Sequence, residues 1–263
     1  MANRGPLLGV AALVGVLALG ALVGGVAGVG PLAPPVPPDK VTDPEEQLAR
    51  SLQSVIDANA VHLVATLTGH VPGALLDQPA ATVDLEGTRV EADARPKDAK
   101  TRARIEVPAL DGTLDTVTVW DGAWYRADAT GPWLKASLGG VAADAGVDAN
   151  PLTLVDRVRG YLADPEITPT TTDVACAAPS GRCRHVVLEA GTEPTGILGL
   201  LLPEANRAAL PPVDTTVTLD TDAATLRPVQ LVVDMRSDDG TVDLHLVVDA
   251  SKWDEDLAID EPA

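Results

Sequence analysis

The sequence predicts an α+β protein built on one large curved antiparallel sheet, a half-barrel, covered on its apolar face by two or three helices. Three observations predict it. Segments of alternating polarity recur from Val61 to Ala250, several joined by Asp-Gly turns at 111–112, 121–122 and 239–240. Helical spacing appears in only a few places and never alternates with single strands, which excludes a doubly wound βαβ architecture. The apolar content is 46% but the aromatic content only 2%, with no phenylalanine. A one-layer sheet filled by Val, Leu and Ala must curl over its helices and leaves apolar space between them.

The chain opens with Arg4 and then Leu7 to Gly30, a run without a polar side chain. Its length of about 24 residues suffices to cross a hydrocarbon core of ~30 Å. A positive charge before such a run is an export signature, so residues 1–30 read as a signal sequence or an N-terminal membrane anchor. Both remain open, because no clean A-x-A cleavage site ends the run. Residues 31–41, "PLAPPVPPDK" with Val41, read as a stiff extended linker. The folded domain is then expected over 42–263, outside the cytoplasm, membrane-anchored or secreted.

A helix opens that domain. Thr42 or Asp43 caps it, Pro44 takes the first helical position, and Glu45 and Glu46 complement the positive end. Leu48, Leu52, Val55 and Ile56 form its apolar stripe, and Asn59 is the expected stop. A strand from Val61 follows. In "ATVDLEGTRVEADA" the apolar parity changes between Leu85 and Val90, which places a bulge or bend at Gly87.

Meander hairpins come next. With Asp111-Gly112 and Asp121-Gly122 as two-residue turns, one face carries Ala103, Ile105, Val107, Leu114, Thr116, Thr118, Trp120, Ala123, Tyr125 and Ala127. The other carries Arg102, Arg104, Glu106, Val117, Val119, Trp124, Arg126 and Asp128. Three of the four tryptophans lie between Trp120 and Trp133. The turn at 121–122 distributes them: Trp120 and Tyr125 inward, Trp124 outward beside Val119.

A second helix is expected from Asn150, with Leu154, Val155, Val158 and Leu162 as its stripe. Cys176 and Cys183 flank a Pro-Ser-Gly turn and read as one disulfide pinning a hairpin in an exported protein. "PTGILGLLLPEANRAALPP" reads as a short apolar helical piece, either a flap or a covering helix. Of the three closing strands, the last two are joined at Asp239-Gly240. That turn sets Met235 against Leu244, Val233 against Leu246 and Leu231 against Val248, and on the opposite face Arg236 against Asp243 and Asp234 against His245.

The formal charge of −19 argues against nucleic acid and anionic lipid surfaces as electrostatic partners. No G-x-S-x-G elbow is present, and His62, His70, His185 and His245 show no metal-ligand spacing. Neither an enzyme nor a metal or other cofactor is expected.

The order of these elements resembles the LppX/LprG-type lipoproteins, whose half-barrel is shared with LolA and RseB. "WDGAWYRADATGPW", "ANPLTLVDRVRGYL" and "LVVDASKWDEDLAIDEP" carry the resemblance, which spans roughly Thr42 to Pro262. The lipobox cysteine of that family is missing here. The resemblance implies an extracytoplasmic carrier that holds acyl chains of lipids or lipoglycans in an apolar cavity, for transfer toward the envelope exterior. An alternative is an RseB-like sensor or scaffold that binds an envelope protein partner. The expected cavity lining is Ile105, Val107, Trp120, Tyr125, Ile197, Leu198, Leu201, Leu231, Val233, Leu244 and Leu246.

Overall fold

A computed structural model describes residues 37–76, 81–119, 122–127, 130–137, 169–193 and 211–262. The expected second helix at 150–162 and nearly all of the apolar 194–212 piece lie outside them. Among the described residues there is one α-helix, α1 (Pro44–Ile56), together with short 3-10 turns.

Among the described residues twelve strands form a single sheet: β1 (Val61–Pro72), β2 (Thr82–Asp84), β3 (Thr88–Arg95), β4 (Lys100–Val107), β5 (Gly112–Val119), β6 (Gly122–Arg126), β7 (Leu134–Ser137), β8 (Thr170–Ala175), β9 (Arg182–Glu193), β10 (Val213–Asp222), β11 (Pro228–Ser237) and β12 (Asp243–Ser251). Their order is β7-β6-β5-β4-β3-β1-β12-β11-β10-β9-β8, with β2 also on β1. Every pairing is antiparallel. Among the described residues the sheet is open, with β7 and β8 at its ends. Two meanders, β1–β7 and β8–β12, join where β1 pairs with β12 from His62 opposite Ser251 to His70 opposite Asp243.

The start of the domain corrects the linker boundary. Pro38–Lys40 is a 3-10 turn, not extended chain, and Val41 is 1% exposed. Arg184 donates to the carbonyl oxygens of Val41 and Pro38, so the folded unit reaches back to Pro38. α1 begins as the sequence dictates: the Asp43 carboxylate accepts from Glu46 N at 3.0 Å and Pro44 follows it. It ends at Ile56, short of Asn59. The Asp57 N–H bonds back to Gln53 O, while the Asn59 N–H is taken by the Asp254 side chain at 2.8 Å.

The phase change at Gly87 is a bulge. His70 pairs with Asp84 and Leu67 with Thr88, so three residues on the β2–β3 side stand against two on β1. Gly87 has φ +77, and Leu85 N donates to Gly69 O at 2.7 Å. This one-residue slip lets both Leu85 and Val90 be buried.

Two hairpin registers differ from expectation. Pro108 starts a 3-10 turn and Asp111 takes the left-handed conformation at φ 47, so Val107 pairs directly with Gly112. Ile105 therefore faces Leu114, where a two-residue Asp111-Gly112 turn would set it against Thr118. In the next hairpin Val119 pairs with Gly122 and Tyr125 faces Thr116, again displaced from the two-residue reading. Both displacements are even, so each side chain keeps its face. Trp124 is outward beside Val119 and Val117 in a small cluster, and Tyr125 packs on the main core. Trp120 lies outside the described residues. The Asp239-Gly240 hairpin has the expected pairs, including Val233 with Leu246 and Asp234 with His245.

Candidate functional site

The candidate site is the apolar face of the sheet. One register row runs Val186, Leu219, Leu231, Val248, Ala65, Val90, Ile105, Leu114 across eight strands without a polar side chain. Each of these residues is at most 5% exposed. At ~4.8 Å per strand the row is ~34 Å wide. It follows from the period-2 alternation of these eight strands, which sends mainly aliphatic side chains to one side and the charged ones to the other.

Of the residues expected to line a cavity, Ile105, Val107, Leu231, Val233, Leu244 and Leu246 fall in one continuous cluster on this face. Tyr125 packs against that cluster while staying partly exposed. Thr116 and Thr118, on the same face of β5, are half-buried. Trp120, Ile197, Leu198 and Leu201 lie outside the described residues.

Several polar residues here escaped sequence reasoning. Gln47 and Ser51 on α1 are fully buried beside Val55. They stand four residues apart, a spacing that assigns them to one helix face. The Gln47 side chain donates to Val41 O at 3.0 Å and accepts from Thr171 on β8 at 2.9 Å, so it ties helix, domain entrance and sheet edge together. The hydroxyls of Ser51, Thr215 and Thr221 are buried without a hydrogen-bond partner among the described residues.

The opposite face is a charged lattice. Arg126 donates to Asp115 at 2.8 Å across β5–β6. Three histidines each meet an aspartate on the adjacent strand: His62 with Asp93 at 2.7 Å, His185 with Asp220 at 2.7 Å and His245 with Asp234 at 2.8 Å. They are cross-strand pairs holding neighbouring strands in register. Among the described residues no group of His, Cys, Asp or Glu could hold a metal ion. No helix among them is long and apolar enough to cross a membrane.

Cys176 and Cys183 form the expected disulfide, closing the β8–β9 hairpin next to the Val174–Cys183 pair. Asp222 underlies that hairpin. Burial raises its pKa, but N–H donors from Ser180 (3.0 Å), Ala224 (2.8 Å) and Thr225 (3.0 Å) outweigh burial and hold it below the ordinary carboxylate value. Asp254 is lowered likewise, first by the Asn59 N–H, against burial, and then by Arg227.

The fold and this face define an antiparallel, sheet-dominated α+β protein with a broad, buried aliphatic face. No protein-family model matches the chain, and no curated protein matches it. Solved structures similar to it include an uncharacterized conserved protein from Thermus thermophilus, at TM-score 0.36 and 12% identity over 79% of this chain and 85% of that one. A LolA superfamily protein from Nitrosomonas europaea matches at TM-score 0.29 and 11% identity, over 83% and 96% of the two chains. These likenesses are too slight to add to the strand order and register described above.

Proposed function

We propose that the protein is an extracytoplasmic carrier that holds the acyl chains of a lipid or lipoglycan against the apolar face of its sheet. The observation that carries this reading is the aliphatic row from Val186 to Leu114, unbroken over eight strands. A surface of this kind binds by area. Each methylene buried contributes about 0.8 kcal/mol, so a long chain is held without a dedicated polar site. The hydroxyls of Thr215 and Thr221, without a hydrogen-bond partner among the described residues, supply polar footholds for an ester or hydroxyl of such a ligand. The disulfide suits an oxidising compartment, and the apolar run Leu7 to Gly30 suits export or membrane attachment.

The test is organic extraction of the purified protein with mass spectrometry of the extract, beside uptake of a fluorescent fatty acid. Co-purifying acyl lipid in near-stoichiometric amount is the expected result. A protein that carries none and takes up none is not a carrier.

A further inference from the structure

On the charged face of the sheet, opposite the proposed lipid surface, Val117 and Val119 of β5 and Trp124 of β6 form a second apolar cluster. Residues 256–262 complete it: Ile259 is 2% exposed there, and the partly buried Trp133 packs against the group. Gly122 makes the room. The Trp124 ring lies across the place of a side chain at 122, where an added Cβ would stand 2.4 Å from it. Lys135 sits over the same ring, 4.7 Å from its centre.

The side chains that contact the segment around this apolar seat are basic, and Arg95 is also bonded to Asp98 at 2.7 Å. Lys100 donates to Ile259 O at 3.2 Å, Arg95 donates to Leu257 O at 3.4 Å, and Arg95 also pairs with Asp256 at 3.6 Å. Arg102 stands in the same register row as Val117 and Trp124. The segment between Lys252 and Pro262 contains five acids, Asp254, Glu255, Asp256, Asp260 and Glu261. Beyond Asp254 it forms neither strand nor helix, and Glu255, Asp256, Ala258, Asp260 and Glu261 are exposed. So the groove engages one aliphatic side chain, two main-chain carbonyls and negative charge.

We propose that this groove is a recognition site for an extended acidic segment with one aliphatic anchor, carried by a protein partner, and that residues 256–262 occupy it in cis as a displaceable stand-in. Charge complementarity selects the occupant: acidic chain over Arg95, Lys100, Arg102 and Lys135, in a protein whose net charge is −19. Displacement is permitted because the hold is small. Among the described residues, one buried side chain, two hydrogen bonds from basic side chains and one ion pair to the exposed Asp256 anchor the segment, and it joins no ladder of the sheet. Tethering raises its effective concentration into the mM range, and a partner segment must outcompete that. The site lies on the other face from the acyl-chain surface and does not depend on it.

The test uses a synthetic peptide of residues 256–262 with the full chain and with Ile259→Asp, a change that expels the segment from its apolar seat. The Ile259→Asp chain should bind the peptide, read by Trp fluorescence, while the intact chain binds it about tenfold or more weakly. A peptide with Asp in place of the isoleucine should bind neither. Failure of a folded Ile259→Asp chain to bind, or equal binding by both chains, overturns the proposal. Should that variant not fold, the intact chain decides. The Ile259 methyl resonance, displaced by the Trp124 ring current, should move to its free-chain position under excess peptide. A resonance that stays in place overturns the proposal.

Discussion

Asp222 joins two loops through one carboxylate. One oxygen accepts from Ser180 in the disulfide loop, the other from Ala224 and Thr225 in the β10–β11 turn. Its folded pKa is depressed, so its contribution is present above the ordinary value near 4 and is lost as pH falls through the folded one. Asp222→Asn should cost about 2 kcal/mol at pH 7, the scale of hydrogen bonds to a charged group. Urea melts from pH 7 to pH 3 should show the wild type losing that margin and the variant lacking that part of the slope. Gly69 stands where no side chain fits. It has φ +100, and a Cβ there would lie 1.9 Å from the Asp243 carbonyl oxygen. Gly69→Ala should destabilise by at least about 3 kcal/mol, through strain added to a backbone clash, measurable as a lowered denaturation midpoint. Neither the hold of Asp222 on the disulfide loop nor the close approach at Gly69 was legible from the sequence, because each depends on a loop or strand far away along the chain.

Single elements were legible where local chemistry decides them. α1 starts at the residue its cap and proline dictate, and the Asp239-Gly240 hairpin pairs as its apolar and charged partners require. The hairpins around Pro108 and Asp121 were legible in their faces and not in their register. Pro108 nucleates a four-residue turn that consumes Asp111, and even displacements leave the polarity pattern unchanged. The β8–β9 hairpin is held by a short disulfide loop with a sequence separation of 7. Chain-entropy arguments give such a loop ~2.5 kcal/mol. Replacing both cysteines by alanine should lower stability by about that amount and leave the far-UV spectrum of the sheet intact.

At the scale of the molecule, the apolar face was assembled correctly strand by strand, since alternation alone sends Ile105, Leu231, Val233, Leu244 and Leu246 to one side. Its function can be probed at Thr116 and Thr118, which share that face and are only half-buried. Thr116→Trp and Thr118→Trp should each cut fatty-acid uptake several-fold, by occupying the space an acyl chain needs, with a thermal midpoint within a few degrees of wild type. Unchanged uptake would place the ligand elsewhere or deny it. The groove around Trp124 and Ile259 was half legible: the outward direction of Trp124 follows from parity, but nothing in residues 252–262 says which strands they cross.

The sequence by itself determined the class of the fold, the two faces of the sheet, the start of α1 and the disulfide. These follow from local periodicity, capping and the pairing of two lone cysteines. Only the tertiary structure decided that β1 closes against β12 and joins the two meanders, that Arg184 draws the chain in from Pro38, and that Ile259 returns to the charged face. Each is a contact between residues more than a hundred positions apart. Burial and complementarity in the assembled sheet select such contacts, and local propensity carries no record of them.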